Sequence, residues 1–177
     1  GLVSNWVEET KIHSHLHSKV LTNNKNDNFF VFNSSTKIII TNYETINTEL
    51  SRFKLFLISR NVSVILDESA KIKNPDSKVT QSLFDLANLF KNRIIMTGTP
   101  IANRPYDIWA QIYFLDFGES LGNDFDSFKK ASDISNKLNS DNNLKVRYEQ
   151  FVYDINEKIQ SFTIRETKKT ADIRLPE

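Results

Sequence analysis

Three short, almost wholly apolar runs constrain this chain more than any other feature. They are Lys37–Ile40 (KIII), Val62–Leu66 (VSVIL) and Ile94–Met96 (IIM). Each is too short for a buried helix and suits a strand covered on both faces of a parallel sheet. Helical spacing separates them. Ile46, Leu50, Phe53 and Leu57 recur at three- and four-residue intervals between the first two runs, and Val79, Leu83, Leu86 and Phe90 do so before the third. Strand alternating with helix predicts an α/β domain with a parallel sheet.

The remaining segments fit around these runs. Ser4 is placed as the N-cap of a first helix through Trp6 and Ile12. Asn23–Asn28 reads as a polar loop, and Phe29–Phe32 as a further short strand turning at Asn33–Ser35. Tyr43–Ile58 reads as one helix. Pro105 fits the first turn of the next helix, through Ile108, Ile112 and Leu115, and Gly118 its end. Beyond Gly118 only helical patterns follow: one from Phe125, an Asn- and Ser-rich loop over Ser135–Asn143, and a long one over Leu144–Ile159. This divides the chain into an α/β part, 1–118, and a helical extension of the same lobe, 119–177.

With 177 residues the chain suits a domain of the common size, about 100–200 residues. A net charge of +1 announces no global basic field, yet a local basic edge suffices for phosphate contacts. There is no cysteine, which excludes a disulfide framework and a zinc–thiolate site. No apolar run reaches membrane-spanning length and no signal-peptide pattern opens the chain, so a cytoplasmic location is expected, nuclear in a eukaryote. His13, His15 and His17 lack a supporting carboxylate or thiol set and read as a solvated helix end.

The chemistry collects where the apolar runs end, the edge at which open α/β sheets bind ligands. Thr41, Asn42 and Tyr43 follow the first run, Asp67 and Glu68 the second, and Thr97, Gly98 and Thr99, with Pro100, the third. Any one of these is an ordinary polar turn; three on one edge point to a site. Adjacent acids after a hydrophobic strand suit nucleotide hydrolysis, one carboxylate holding Mg²⁺ through its waters and the other polarising the attacking water. The alternative for the same pair is an N-cap for the next turn. Thr97–Thr99 offers hydroxyls toward the acids, or simply a strand-to-helix turn.

These segments resemble, in order, the motifs of the Swi/Snf-type ATPases of helicase superfamily two. Leu2–Trp6 (LVSNW) is similar to the end of motif Ia and Ile38–Thr45 (IIITNYET) to motif Ib. Val64–Asn74 (VILDESAKIKN) resembles motif II. Arg93–Asn103 (RIIMTGTPIAN), running into Asp107–Trp109 and Phe114–Leu115, resembles motif III and its helix. Phe162–Lys168 with Leu175–Pro176 is similar to the lobe's closing segment. The resemblance implies a RecA-like, P-loop-NTPase-type parallel sheet flanked by helices, here the first lobe of a motor cut before motif Ia.

It further implies ATP and Mg²⁺ as cofactors, double-stranded DNA and a second RecA-like lobe as partners, and translocation driven by ATP hydrolysis. Asp67 would hold Mg²⁺ through water and Glu68 activate water. Thr97, Gly98 and Thr99 would couple hydrolysis to lobe movement, and Thr41, Asn42 and Tyr43 would meet the nucleic-acid backbone. Ala70 stands where the family often has His, and Glu166 where a second Arg is usual. No GxxxxGK[ST] loop occurs in the 177 residues, so the chain alone is expected to hydrolyse no ATP. The other functions considered are a strand-separating DNA or RNA helicase and a binding module that has lost its ATPase.

Overall fold

The computed structural model describes residues 2–99, 104–132 and 142–164. The chain forms two compact units, Gly1–Pro100 and Ile101–Glu177.

The first unit runs α1 (Leu2–His13), β1 (Ser18–Val20), α2 (Lys25–Phe32), β2 (Ile38–Ile40), α3 (Tyr43–Thr48), α4 (Leu50–Ser59), β3 (Ser63–Leu66), a 3₁₀ turn (Ser69–Ile72), α5 (Lys78–Ala87) and β4 (Asn92–Ile95). Strand pairing among its described residues is parallel, as the apolar runs predict. β1 lies beside β2 with Ser18 opposite Ile38, and β3 beside β4 with Leu66 opposite Ile95. Parallel neighbours need a long crossover; α2 lies between β1 and β2 in the chain, and α5 between β3 and β4. Leu21, Phe32, Ile46, Leu57, Leu66, Ile72, Leu83 and Leu86 are buried in this unit. The helix α5 starts at Ser77, whose side chain accepts from Thr80 N. Thr80, Leu83 and Leu86 fall on one face of α5 at intervals of three, and all are buried.

The structure corrects the sequence reading in several places. Residues Phe29–Phe32 are helical, not extended, and Lys25–Asn28, read as loop, belongs to the same helix. Asn24 caps α2 by accepting from Asn26 N at 2.9 Å, and the buried residues are Asn28 and Phe32, four apart. Phe32 meets the rings of Phe53 and Phe56 on α4 at 5.1 and 5.5 Å. A strand would have buried alternate residues instead. Tyr43–Ile58 is two helices broken at Glu49, a residue only 3% exposed. Its carboxylate accepts from Asn28 Nδ2 and from Arg52 Nη1, each at 2.9 Å, and this buried junction sets the break. Ser4 lies inside α1, which starts at Leu2. Ser18–Val20 is a strand that its own composition does not signal. It pairs with β2.

In the second unit Pro105 opens a 3₁₀ turn (Pro105–Ile108) leading into α6 (Trp109–Asp116). The helix ends as expected. Phe117 and Gly118 adopt φ of 57° and 88°. A Cβ on Gly118 would meet the Gly122 carbonyl oxygen at 2.8 Å, so glycine is required there on two counts. The Trp109 indole donates to Gly122 O at 3.1 Å and stacks on Tyr113 at 4.8 Å. Two helices follow, α7 (Phe125–Ser132) and α8 (Asn142–Ile159). Beyond Gly118 the described residues form only helices and turns, in keeping with the sequence pattern. Residues 135–141 of the Asn-rich stretch, Pro100–Asn103 and the closing segment beyond Ile164 lie outside the described residues. No helix among the described residues is long and apolar enough to cross a membrane.

Candidate active site

The β3–β4 ladder carries both polar exits to one edge. Met96 N donates to Leu66 O at 2.8 Å, and Ser69 N donates back to Met96 O at 2.9 Å. Asp67–Glu68 therefore leaves the sheet beside Thr97, as the apolar runs predict. The exit of β2 reaches the same place, because the Tyr43 hydroxyl donates to the main-chain oxygen of Asp67 at 2.7 Å.

The turn between the acids and the following 3₁₀ segment is strained. Glu68 sits in the left-handed region, at φ 51° and ψ 49°. A Cβ-bearing residue pays roughly 1–2 kcal/mol there, and such strain gathers at functional sites. Hydrogen bonds hold the turn. Glu68 N donates to Asp67 Oδ1 at 2.9 Å. Lys71 N donates to Glu68 O at 3.0 Å. The Glu68 side chain is exposed, so its carboxylate faces solvent at the edge.

Asp67 is more enclosed. Its Oδ2 accepts from the Trp6 indole N–H at 2.8 Å, a contact across 61 residues. Trp6 has no role legible in the sequence beyond its place in the Leu2–Trp6 match. The signal that could have found it is a lone indole donor next to a candidate carboxylate, which only the fold brings together. Each Asp67 oxygen thus has one donor and keeps a further lone pair. That fits outer-sphere Mg²⁺, which retains its waters and needs few protein ligands. No cluster of three or more His, Asp or Glu occurs among the described residues, so a metal here would lean on Asp67, its waters and the nucleotide phosphates.

Tyr43 is half-buried. Burial, then the charges of Asp67 and Glu68, push its hydroxyl well above the ordinary tyrosine value. It therefore stays protonated, a donor, through the physiological range. Asn42 has a structural role. Its Oδ1 accepts from Thr45 N at 2.8 Å and Thr45 Oγ1 at 2.7 Å, capping α3. Asn42→Ala is expected to cost about 1 kcal/mol of stability through the lost cap. Urea denaturation of the variant and wild-type chains measures it, and equal midpoints would refute the capping role. The Thr41 hydroxyl donates to Asn42 O at 3.2 Å. On the other exit, Thr99 N donates to Thr97 Oγ1 at 3.1 Å. Among the described residues nothing lies within 4 Å of where a Cβ on Gly98 would stand. Ala70, at the usual His position, begins the turn that donates back to it through Lys73 N at 3.3 Å.

The family model for the SNF2-related domain matches residues 1–177, the whole chain. The chain belongs to the SNF2-related domain family. Human SWI/SNF-related matrix-associated actin-dependent regulator of chromatin subfamily A member 1 is 27% identical over 139 residues, covering 78% of this chain and 12% of that protein. The chromatin-remodeling ATPase INO80 of Candida albicans is 29% identical over 140 residues, 78% of this chain and 9% of its own length. The ISWI chromatin-remodeling complex ATPase ISW1 of Saccharomyces cerevisiae is 28% identical over 138 residues, 78% and 11%. The SNF2-related chain thus spans about a tenth of the length of these relatives. Among solved structures, the Sulfolobus solfataricus SWI2/SNF2 ATPase core in complex with dsDNA superposes with a TM-score of 0.68 at 24% identity, covering 97% of this chain and 33% of that one. The likeness shows the fold, the RecA-like arrangement expected from the sequence.

Proposed function

We propose that this SNF2-related chain is part of the first lobe of an ATP-driven motor acting on double-stranded DNA. The observation that carries the reading is the strained Asp67–Glu68 turn, held at one sheet edge beside the Thr97–Thr99 exit and joined there by Tyr43 from the β2 exit. Asp67, fixed by Trp6 and by the amide of Glu68, holds Mg²⁺ through water. Bound Mg²⁺ supplies charge neutralisation on the nucleotide phosphates. Glu68, exposed at the edge, accepts a proton from the attacking water and orients it. Thr97, Gly98 and Thr99 pass the state of the nucleotide site to the rest of the lobe. Thr41, Asn42 and Tyr43 form the side that meets the nucleic-acid backbone. The segment 119–177 extends the same lobe.

The test uses the complete protein that contains this chain. ATP hydrolysis is expected to rise when duplex DNA is added. Duplex affinity should fall with salt, with a slope of about 0.9 per neutralised phosphate. The 177-residue chain alone should hydrolyse no ATP, since it carries no phosphate-binding loop. Hydrolysis indifferent to DNA in the complete protein would remove the motor reading, and turnover by the isolated chain that vanished in Asp67→Asn or Glu68→Gln would overturn its expected inactivity. A strand-displacement assay separates the translocase from a strand-separating helicase.

A further inference from the structure

We infer that Tyr43 is a positioning residue for hydrolysis, whose hydroxyl holds the Asp67–Glu68 turn in the backbone geometry that presents Glu68 and so ties the β2 exit to the hydrolytic pair. The inference rests on the reading of Asp67 and Glu68 as that pair.

The geometry starts with the peptide between the two acids. Its plane sets the ψ of Asp67 and the φ of Glu68 together. On β3, Leu66 O is held by Met96 N, the ladder bond next to the turn. One residue further, Asp67 O accepts from Tyr43 at 2.7 Å, so a side chain from another element holds this plane. The plane so held is the one that places Glu68 at φ 51°. The strain of one left-handed residue and the net worth of one hydrogen bond are of similar size. A bond of that size decides how often the turn is occupied in this form.

The anchor is itself rigid. Tyr43 is the first residue of α3, directly after the Asn42 cap, and Thr45 and Ile46 of the same helix are buried. Its ring gives the hydroxyl little freedom beyond two side-chain torsions. Tyr43 also directly follows Thr41 and Asn42, proposed above to face nucleic acid. A displacement of that segment therefore reaches Asp67 O through one residue and one hydrogen bond.

The experiment compares Tyr43→Phe with Thr48→Val in the complete protein. Thr48 lies on the same helix and donates its hydroxyl to Thr45 O at 3.0 Å; its substitution deletes a hydroxyl-to-carbonyl bond that has no link to the turn. For Tyr43→Phe the expected result is a fall in DNA-stimulated kcat of roughly 10- to 100-fold, the scale of a misplaced catalytic group. KM for ATP should stay unchanged, and any loss of duplex affinity at fixed salt should stay well below the fall in kcat measured at saturating DNA; all three quantities should stay unchanged in Thr48→Val. Backbone amide exchange should quicken at Ser69 and Lys71 in Tyr43→Phe while the amides of α5 keep their protection. Unchanged kcat in Tyr43→Phe overturns the proposal. So does an equal fall in both variants, or faster exchange across α5 as well, either of which assigns Tyr43 to stability alone. Weaker duplex binding with wild-type kcat at saturating DNA makes Tyr43 a nucleic-acid contact only, and also overturns it. Failure of the underlying reading is distinguishable, since it appears in the wild-type protein as hydrolysis that is absent or indifferent to DNA.

Discussion

Glu68→Gln in the complete protein is expected to lower ATP hydrolysis by about 10²- to 10⁴-fold, the range supplied by a positioned general base, while duplex DNA binding at fixed salt stays as in wild type. Gln keeps the size and reach of Glu but cannot take up the proton of the attacking water. Glu68 is exposed and donates or accepts for the fold only through its main chain, to Asp67 Oδ1 and from Lys71 N. The substitution should therefore leave melting unchanged, which separates loss of chemistry from loss of structure. Duplex affinity is proposed to come from the β2 exit and from phosphate contacts elsewhere, not from this carboxylate. Phosphate release under saturating ATP, with and without duplex, a binding titration at a single salt concentration and a thermal melt together check all three parts. Retention of most of the wild-type rate would remove Glu68 from the reaction.

Glu49→Ala is expected to destabilise the first unit by about 2–4 kcal/mol. Glu49 is 3% exposed, and its carboxylate ties α2 to the α3–α4 junction through Asn28 Nδ2 and Arg52 Nη1. Deleting it leaves a void and removes the acceptor for both donors. Asn28 keeps its bond to Thr22 O at 2.8 Å, and Arg52, 35% exposed, can turn to water or keep Lys25 O. The cost therefore stays below that of stranding a fully buried charge. Glu49→Gln retains an acceptor for Asn28 and should cost less, about 1 kcal/mol. Denaturant titration of wild type and the two variants gives the order. An alanine variant as stable as wild type would show that the buried carboxylate contributes nothing to the fold.

Three of the four described parallel strands were legible in the sequence because their signal is local. Ile38–Ile40 and Ser63–Leu66 sit in apolar runs too short for anything else, Asn92–Ile95 overlaps the third run at Ile94–Ile95, and period-3.6 spacing marked α5. Pro105 and Gly118 announced the start and end of the segment around α6 because ring closure and a missing Cβ act on their own backbone. The order of motifs along the chain placed the family, and the adjacency of Asp67 and Glu68 after a strand placed the candidate chemistry.

What the tertiary structure decided lies at long sequence separation. Phe29–Phe32 has the aromatic content of a strand, but Asn24 caps it and Phe32 finds Phe53 and Phe56, so burial at four-residue spacing overrode β propensity. Ser18–Val20 becomes a strand only because Ile38–Ile40 offers an open ladder beside it. Glu49 breaks a continuous helical pattern because Asn28 and Arg52 meet it from two sides. At the site, nothing in the residues around Asp67 tells that Trp6 grips its carboxylate, that Tyr43 grips its main-chain oxygen, or that Glu68 is left-handed. Propensity and periodicity report what a residue does with its near neighbours. The bonds that fix this turn join groups 24 and 61 residues apart, and only packing of the helices that carry them brings those groups within reach.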